Sequence, residues 1–95
     1  MKDIEIAYKK SESKKDAYKR VKKKITPEML AKYKIDTELI YDDKNCSIRG
    51  KGNGFDFNLD FYDTEVCGDL NLSFLFKPFK AKVLESLEKK IKKVV

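Results

Sequence analysis

The sequence predicts an α+β fold, a two-layer sandwich in which two helices cover one face of an antiparallel sheet. Residues 55–74 alternate between apolar and polar side chains, which is typical of strands with one buried face. Two other segments repeat apolar residues every three or four positions, as amphipathic helices do. The apolar face of such a sheet must be buried against other elements, and the two helices can bury it. A chain of 95 residues is long enough for one hydrophobic core, so a single domain over residues 1–95 is expected.

The predicted element order is β-α-β-β-β-β-α, and it begins with a strand over residues 3–9. In that segment Ile4, Ile6 and Tyr8 alternate with charged or small residues. Ser13, with Asp16 three residues later, predicts a helix start of the capping-box type. The apolar stripe of that helix consists of Tyr18, Val21, Ile25, Met29 and Tyr33.

Thr26-Pro27 interrupts this helix, and the sequence leaves two outcomes open. The helix kinks at the proline, or a new helix starts with Thr26 as its N-cap and Pro27 in its first position. Because the apolar stripe continues through the break, both halves are expected to pack on the same sheet.

A hairpin is predicted next, with its turn over residues 42–45. The residues that alternate on its two strands are Leu39 and Tyr41, then Cys46 and Ile48. The following segment, residues 50–54, holds three glycines and is predicted to be a mobile connection between strands.

Residues 55–74 predict a second hairpin together with its register. Odd positions are apolar before Asp63-Thr64 and even positions are apolar after it. A turn at that point sets apolar residues opposite one another, and a slip of one residue would expose all of them. The predicted pairs are Phe61 with Val66, Leu59 with Gly68, Phe57 with Leu70, and Phe55 with Leu72.

The chain is predicted to change from strand to helix at Lys77-Pro78. The lysines of the final turns suit the negative end of the helix dipole. One stripe of the last helix holds Lys80, Val83, Leu84, Leu87, Ile91 and Val94.

The composition argues against catalysis. Histidine is absent, which removes the usual acid–base group near neutral pH and the commonest metal ligand. Asp56, Asp60 and Asp69 share the outward face of the predicted hairpin, but a flat strand face does not wrap a cation. No nucleophile motif or cofactor-binding loop is present, so the protein is predicted to be no enzyme and to need no cofactor or metal.

The two cysteines are predicted to remain thiols. Cys46 has the buried parity of Ile48, whereas Cys67 has the outward parity of Asp69. Residues on opposite faces of a sheet cannot meet disulfide geometry. Cys67 is therefore expected to react with thiol reagents faster than Cys46.

Charge is unevenly distributed along the chain. The formal charge is +6 over residues 1–37, −5 over residues 38–75 and +5 over residues 76–95. A lysine-rich helix face can bind nucleic acid or another polyanion. An ordinary solvated helix face is the favoured interpretation, because charge runs alone specify little. The candidate polyanion contacts are Lys15, Lys19, Lys22, Lys23, Lys89, Lys92 and Lys93.

The strand-to-helix junction is the candidate contact for a protein or hydrophobic partner. It consists of Phe76, Pro78 and Phe79. Phe79 lies one turn before Val83 on the helix stripe, so we expect it in the core and Phe76 partly exposed.

The second half of the chain resembles a known family. Its signature is an alternating strand, a Pro-Phe-Lys junction and an amphipathic helix, carried here by Val66, Gly68, Leu70, Leu72, Phe74, Leu75, Phe76, Lys77, Pro78, Phe79, Lys80, Leu87 and Ile91. This pattern is similar to that of the polyhydroxyalkanoic acid system protein family of short bacterial proteins, also called the polyhydroxyalkanoate granule region family. The first half agrees in outline, but the high lysine content and Pro27 depart from the pattern. The family has no established catalytic residues.

Two functions are therefore expected from the sequence. The resemblance implies a non-catalytic accessory protein that binds a storage-granule surface or a granule-associated protein through a hydrophobic contact. The alternative is a polyanion-binding module that uses the lysine-rich helix faces for nucleic acid. The chain shows no apolar run long enough for a membrane span and no signal-peptide pattern near Met1, so a cytoplasmic location is expected.

Overall fold

The computed structural model describes residues 3–32, 37–52, 54–72 and 77–95. The predicted α+β class is confirmed, with five strands and three α-helices among these residues. In chain order the elements are β1 (Ile4–Ala7), α1 (Lys14–Lys24), α2 (Pro27–Ala31), β2 (Thr37–Asp42), β3 (Ser47–Gly52), β4 (Phe55–Phe61), β5 (Glu65–Leu72), a 3₁₀ turn (Lys77–Phe79) and α3 (Lys80–Val94).

The five strands form one antiparallel sheet in the order β1-β5-β4-β3-β2. The predicted register of β4 and β5 is confirmed at all four apolar pairs, from Phe55 opposite Leu72 to Phe61 opposite Val66. The predicted first hairpin is present, because β2 and β3 pair. Its turn covers residues 43–46 instead of 42–45, so the predicted strand position of Cys46 is wrong: Cys46 ends the turn with a φ of 52°. β1 pairs with the free side of β5, so the first and second strands of the chain lie at the two edges of the sheet.

The interruption at Thr26-Pro27 separates two helices. Ile25 leaves the helical conformation, and the Thr26 side chain accepts a hydrogen bond from the Met29 N–H at 3.2 Å. Pro27 takes the first helical position, where its missing N–H costs no hydrogen bond. Ser13 caps α1 in the same way, accepting from the Asp16 N–H at 3.2 Å, so the predicted helix start is confirmed.

The core lies between the sheet and the helices. The helices contribute the apolar residues of their predicted stripes. Lys80, which the prediction placed on the last stripe, instead pairs with Asp3 at 3.5 Å, and Tyr33 lies outside the described residues. The buried contributors include Val21 and Ile25 from the first stripe, Leu30 from α2, and Leu87 and Ile91 from α3. They meet the inward residues of the strands, namely Ile4, Ile6, Ile48, Phe55, Phe57, Leu59, Phe61, Val66 and Leu70.

The glycine-rich segment is wrongly predicted to be a mobile connection along most of its length. Gly50 and Gly52 belong to β3, and Gly54, with a φ of 82°, directly precedes β4. Gly50 is buried opposite Phe57, whose ring fills the place of a side chain: a Cβ there would lie 2.1 Å from the ring atom Cε1. The glycine is needed here for close packing.

The expected exposure of Cys67 is wrong. Cys67 occupies the outward position that its parity predicts, opposite Asp60, yet only 3% of its surface is exposed. Its partner on the other side is Glu5, and its Sγ lies 3.5 Å from an oxygen of Glu65. A short thiol between longer side chains on two neighbouring strands is shielded by them. Both cysteines are thiols in the described structure, as predicted.

Candidate polyanion-binding surface

The outer side of the helix layer is densely basic. Because the apolar stripes of α1 and α3 face the core, most of the remaining positions of both helices are exposed to solvent. The exposed lysines of these two helices form what we term the basic helix surface: Lys14, Lys15, Lys19, Lys23, Lys24, Lys82, Lys89, Lys92 and Lys93.

Contacts between distant parts of the chain bring the two lysine groups together. The Arg20 guanidinium donates to the carbonyl of Val94 at 3.2 Å, and Lys10 Nζ donates to the carbonyl of Lys93 at 2.9 Å. The backbone N–H groups of residues 9–11 all donate to the main-chain oxygen of Val95. The last turn of α3 is thus held against α1 and the loop before it.

Six of the seven predicted polyanion contacts belong to this surface. Lys89 pairs with Glu85 at 3.3 Å and Lys92 with Glu88 at 4.0 Å, each one helical turn away. Exposed pairs of this kind are weak, so their lysines can exchange partners for a phosphate. Within the described ranges, no ion pair is formed by the other four, Lys15, Lys19, Lys23 and Lys93.

Lys22 has a different role. Its Nζ lies 3.0 Å from an oxygen of Asp43 and over the rings of Tyr18 and Tyr41, at 5.7 and 5.2 Å from their centroids. The Tyr18 hydroxyl donates to the same Asp43 oxygen at 2.5 Å. These contacts connect α1 to the turn between β2 and β3. Lys22 therefore has a structural role and is not counted in the basic helix surface.

The same contacts change the acidity of the groups involved. The hydrogen bond from Tyr18, followed by that from Lys22, lowers the pKa of Asp43. Burial, assisted by the hydrogen bond to Asp43, raises the pKa of Tyr18. Residues 18 and 43 are far apart in the sequence, and no local pattern marks them as a pair.

The face of the sheet away from the helices is acidic. Its strands carry outward side chains that no described helix covers, and we term this surface the open sheet face. Arg49 and Lys51 are its basic residues. Its acidic residues outnumber them and are Glu5, Glu38, Asp42, Asp56, Asp60, Glu65 and Asp69.

The carboxylates of the open sheet face are spread along its strands. Asp56, Asp60 and Asp69 lie on β4 and β5 as predicted. Among the described residues no group of three or more Asp, Glu, Cys or His side chains is arranged to hold a metal ion. A shallow depression at one end of the face is lined by Lys51, Gly52, Gly54, Phe55, Asp56, Asn71 and Leu72.

The strand-to-helix junction differs from the prediction. Phe79 is 56% exposed, so its expected place in the core is wrong. It ends the 3₁₀ turn before α3, where the helical periodicity that linked it to Val83 does not yet apply. Pro78 is also exposed, and Phe76 lies outside the described residues.

The apolar stripes of the helices that the structure describes pack inside the fold. The stripe of α3 packs on the core through Leu87 and Ile91, and that of α1 does so through Val21. Across the described ranges, no helix has the length and apolar character needed to cross a membrane. A hydrophobic contact would therefore have to use residues outside these stripes, such as Phe79.

Comparisons with protein-family models, curated proteins and solved structures found no match. The resemblance to the polyhydroxyalkanoic acid system family stays a prediction from the sequence.

Proposed function

We propose that this protein is a non-catalytic, cytoplasmic module that binds nucleic acid through the basic helix surface. The observation that carries the proposal is the separation of charge between the two layers. Exposed lysines crowd the outer side of α1 and α3, while acidic residues dominate the open sheet face. A polyanion that approaches is attracted to one side and repelled by the other, so the field orients the encounter.

The surface favours the phosphate backbone of a duplex over unpaired bases. Proteins that bind single strands stack bases on exposed aromatic rings. The large exposed aromatic residues within the described ranges are Tyr62 and Phe79, and neither belongs to α1 or α3. Lysines without neighbouring rings bind phosphates with little dependence on base sequence.

The test is a salt titration of binding to a fluorescent 20-base-pair DNA duplex, with an RNA duplex and heparin as parallel probes. A contact with four phosphates predicts that log K falls with log salt concentration at a slope of about −4. Lys19→Gln with Lys23→Gln should weaken binding and make the slope shallower by about 2.

The matched control is Arg49→Gln with Lys51→Gln, which removes the same charge from the open sheet face. It should leave affinity and slope nearly unchanged. If both double variants lost the same affinity, binding would depend on the net charge of the protein and not on the position of the lysines, which would argue against this surface. Absence of binding to either duplex at 50 mM salt would refute the proposal, and binding to heparin alone would restrict it to other polyanions.

The exposed Phe79 favours a second candidate function, the hydrophobic partner contact implied by the family resemblance. Phe79 and Pro78 are both solvent-exposed at the start of α3. Adsorption to polyester particles should then fall in Phe79→Ala and persist at 500 mM salt, because salt does not screen apolar contacts. Adsorption that disappears in high salt, or that Phe79→Ala leaves unchanged, would argue against this function.

A further inference from the structure

We propose that the open sheet face of one copy of this chain docks on the basic helix surface of a second copy, so that copies associate head to tail. Both surfaces are present in every copy, and their charges are complementary. The open sheet face carries seven acidic and two basic residues on its strands. The basic helix surface carries nine exposed lysines. The acidic residues of α1 and α3 are the exposed Glu85 and the half-buried Asp16 and Glu88.

The layered fold prevents one copy from satisfying both charges itself. The helices pack on one side of the sheet, so the two charged surfaces point in opposite directions. Contact between them must involve a second copy, and the same contact can repeat at each end. The association is therefore heterologous and open-ended.

The open sheet face also offers apolar contact. Ile40 lies at an outward position of the edge strand β2 and is 45% exposed. Tyr62 follows β4 with outward parity and is 48% exposed. These two exposed apolar side chains can contact the helix layer of the second copy, and salt does not screen an apolar contact.

Association of this kind competes with a polyanion for the same lysines. The acidic face of one copy would occupy the surface that meets phosphates in another. The inference does not depend on nucleic-acid binding, however, because it rests on the charges of the chain itself and is tested without nucleic acid.

The first measurement is the average mass of the full chain by sedimentation, over a range of protein concentrations. In 20 mM salt the mass should rise with concentration above the 11.1 kDa of one chain, and in 500 mM salt it should return to that value. A mass of one chain at millimolar concentration in 20 mM salt would overturn the proposal.

The second measurement is a charge-swap experiment. The helix variant is Lys19→Glu with Lys23→Glu, and the sheet variant is Glu5→Lys with Asp56→Lys. All four residues are exposed, so thermal melts should show both variants folded. Each variant alone should associate at least tenfold more weakly than the unaltered chain. The helix variant replaces two of the nine exposed lysines by acidic residues, and the sheet variant replaces two of the seven acidic residues by lysines, so the attraction between the two surfaces falls.

Mixing the two variants should restore association, since the unaltered sheet face of the helix variant can dock on the unaltered helix surface of the sheet variant. The control Glu12→Lys with Asp63→Lys makes the same charge change as the sheet variant at exposed loop positions. It should associate like the unaltered chain. Failure of the mixture to associate, or equal loss in the control, would overturn the proposal.

Discussion

At the scale of single residues, exposure decides what Phe79 contributes to stability. Phe79→Ala should change the free energy of unfolding by no more than about 0.5 kcal/mol, as expected for an exposed side chain. Phe57, by contrast, is 1% exposed, and Phe57→Ala should cost about 3–5 kcal/mol. Denaturant melts of both variants check this, and a loss above 2 kcal/mol for Phe79→Ala would place that ring in the core.

Gly50 is a second residue whose effect depends on one contact. Gly50→Ala should destabilise the fold by about 1–3 kcal/mol, because the added methyl group overlaps the Phe57 ring. The double variant Gly50→Ala with Phe57→Leu should be less destabilised than the two single changes together, since the smaller side chain makes room. Strict additivity in a double-mutant cycle would show that the ring does not carry the effect.

At the scale of elements, the bond network of Asp43 joins α1 to the turn between β2 and β3. The hydrogen bonds from Tyr18 and Lys22 lower the pKa of Asp43 below that of an aspartate in the unfolded chain, so the ionised carboxylate stabilises the fold at pH values above the unfolded pKa. This stabilisation is lost as the pH falls through the lower, folded pKa. The melting temperature of Asp43→Asn should thus lie below that of the unaltered chain at pH 6, with a difference that shrinks toward pH 2.

The matched control for this prediction is Asp63→Asn, at an exposed position in the turn between β4 and β5. Its melting temperature should follow that of the unaltered chain at every pH. A difference for Asp43→Asn that stays constant from pH 6 to pH 2 would mean that the charge of the carboxylate is not what stabilises the contact.

At the scale of the whole molecule, both cysteines report on opening of the fold. Cys46 is 2% and Cys67 is 3% exposed, so each should react with a thiol reagent at least about tenfold more slowly than a surface thiol. Asn71→Cys supplies that surface thiol on the outward side of β5. Native labelling followed by mass spectrometry checks this, and rapid modification of Cys67 would show that its neighbours do not shield it.

The sequence predicts most of the sheet and the helices because their signals are local. Alternation over residues 55–74 specifies the register of β4 and β5, since every apolar pair would be exposed by a slip of one residue. The stripes of α1 and α3 identify the helix faces that pack on the core, and thereby the lysines that remain outside. These features depend on residues close together in the chain.

By itself, then, the sequence determined the α+β class, the existence of both hairpins, the register of β4 and β5, and the presence of lysines on two solvent-facing helix surfaces. Only the tertiary structure decided that Cys67 is buried and Phe79 exposed. The same structure decided that the Phe57 ring packs against Gly50, and that Lys22 forms an ion pair with Asp43. It also decided that the lysine groups of α1 and α3 lie on neighbouring helices, opposite an acidic sheet face. The physical reason is that periodicity reports the direction of a side chain, whereas shielding and pairing depend on neighbours contributed by distant parts of the chain.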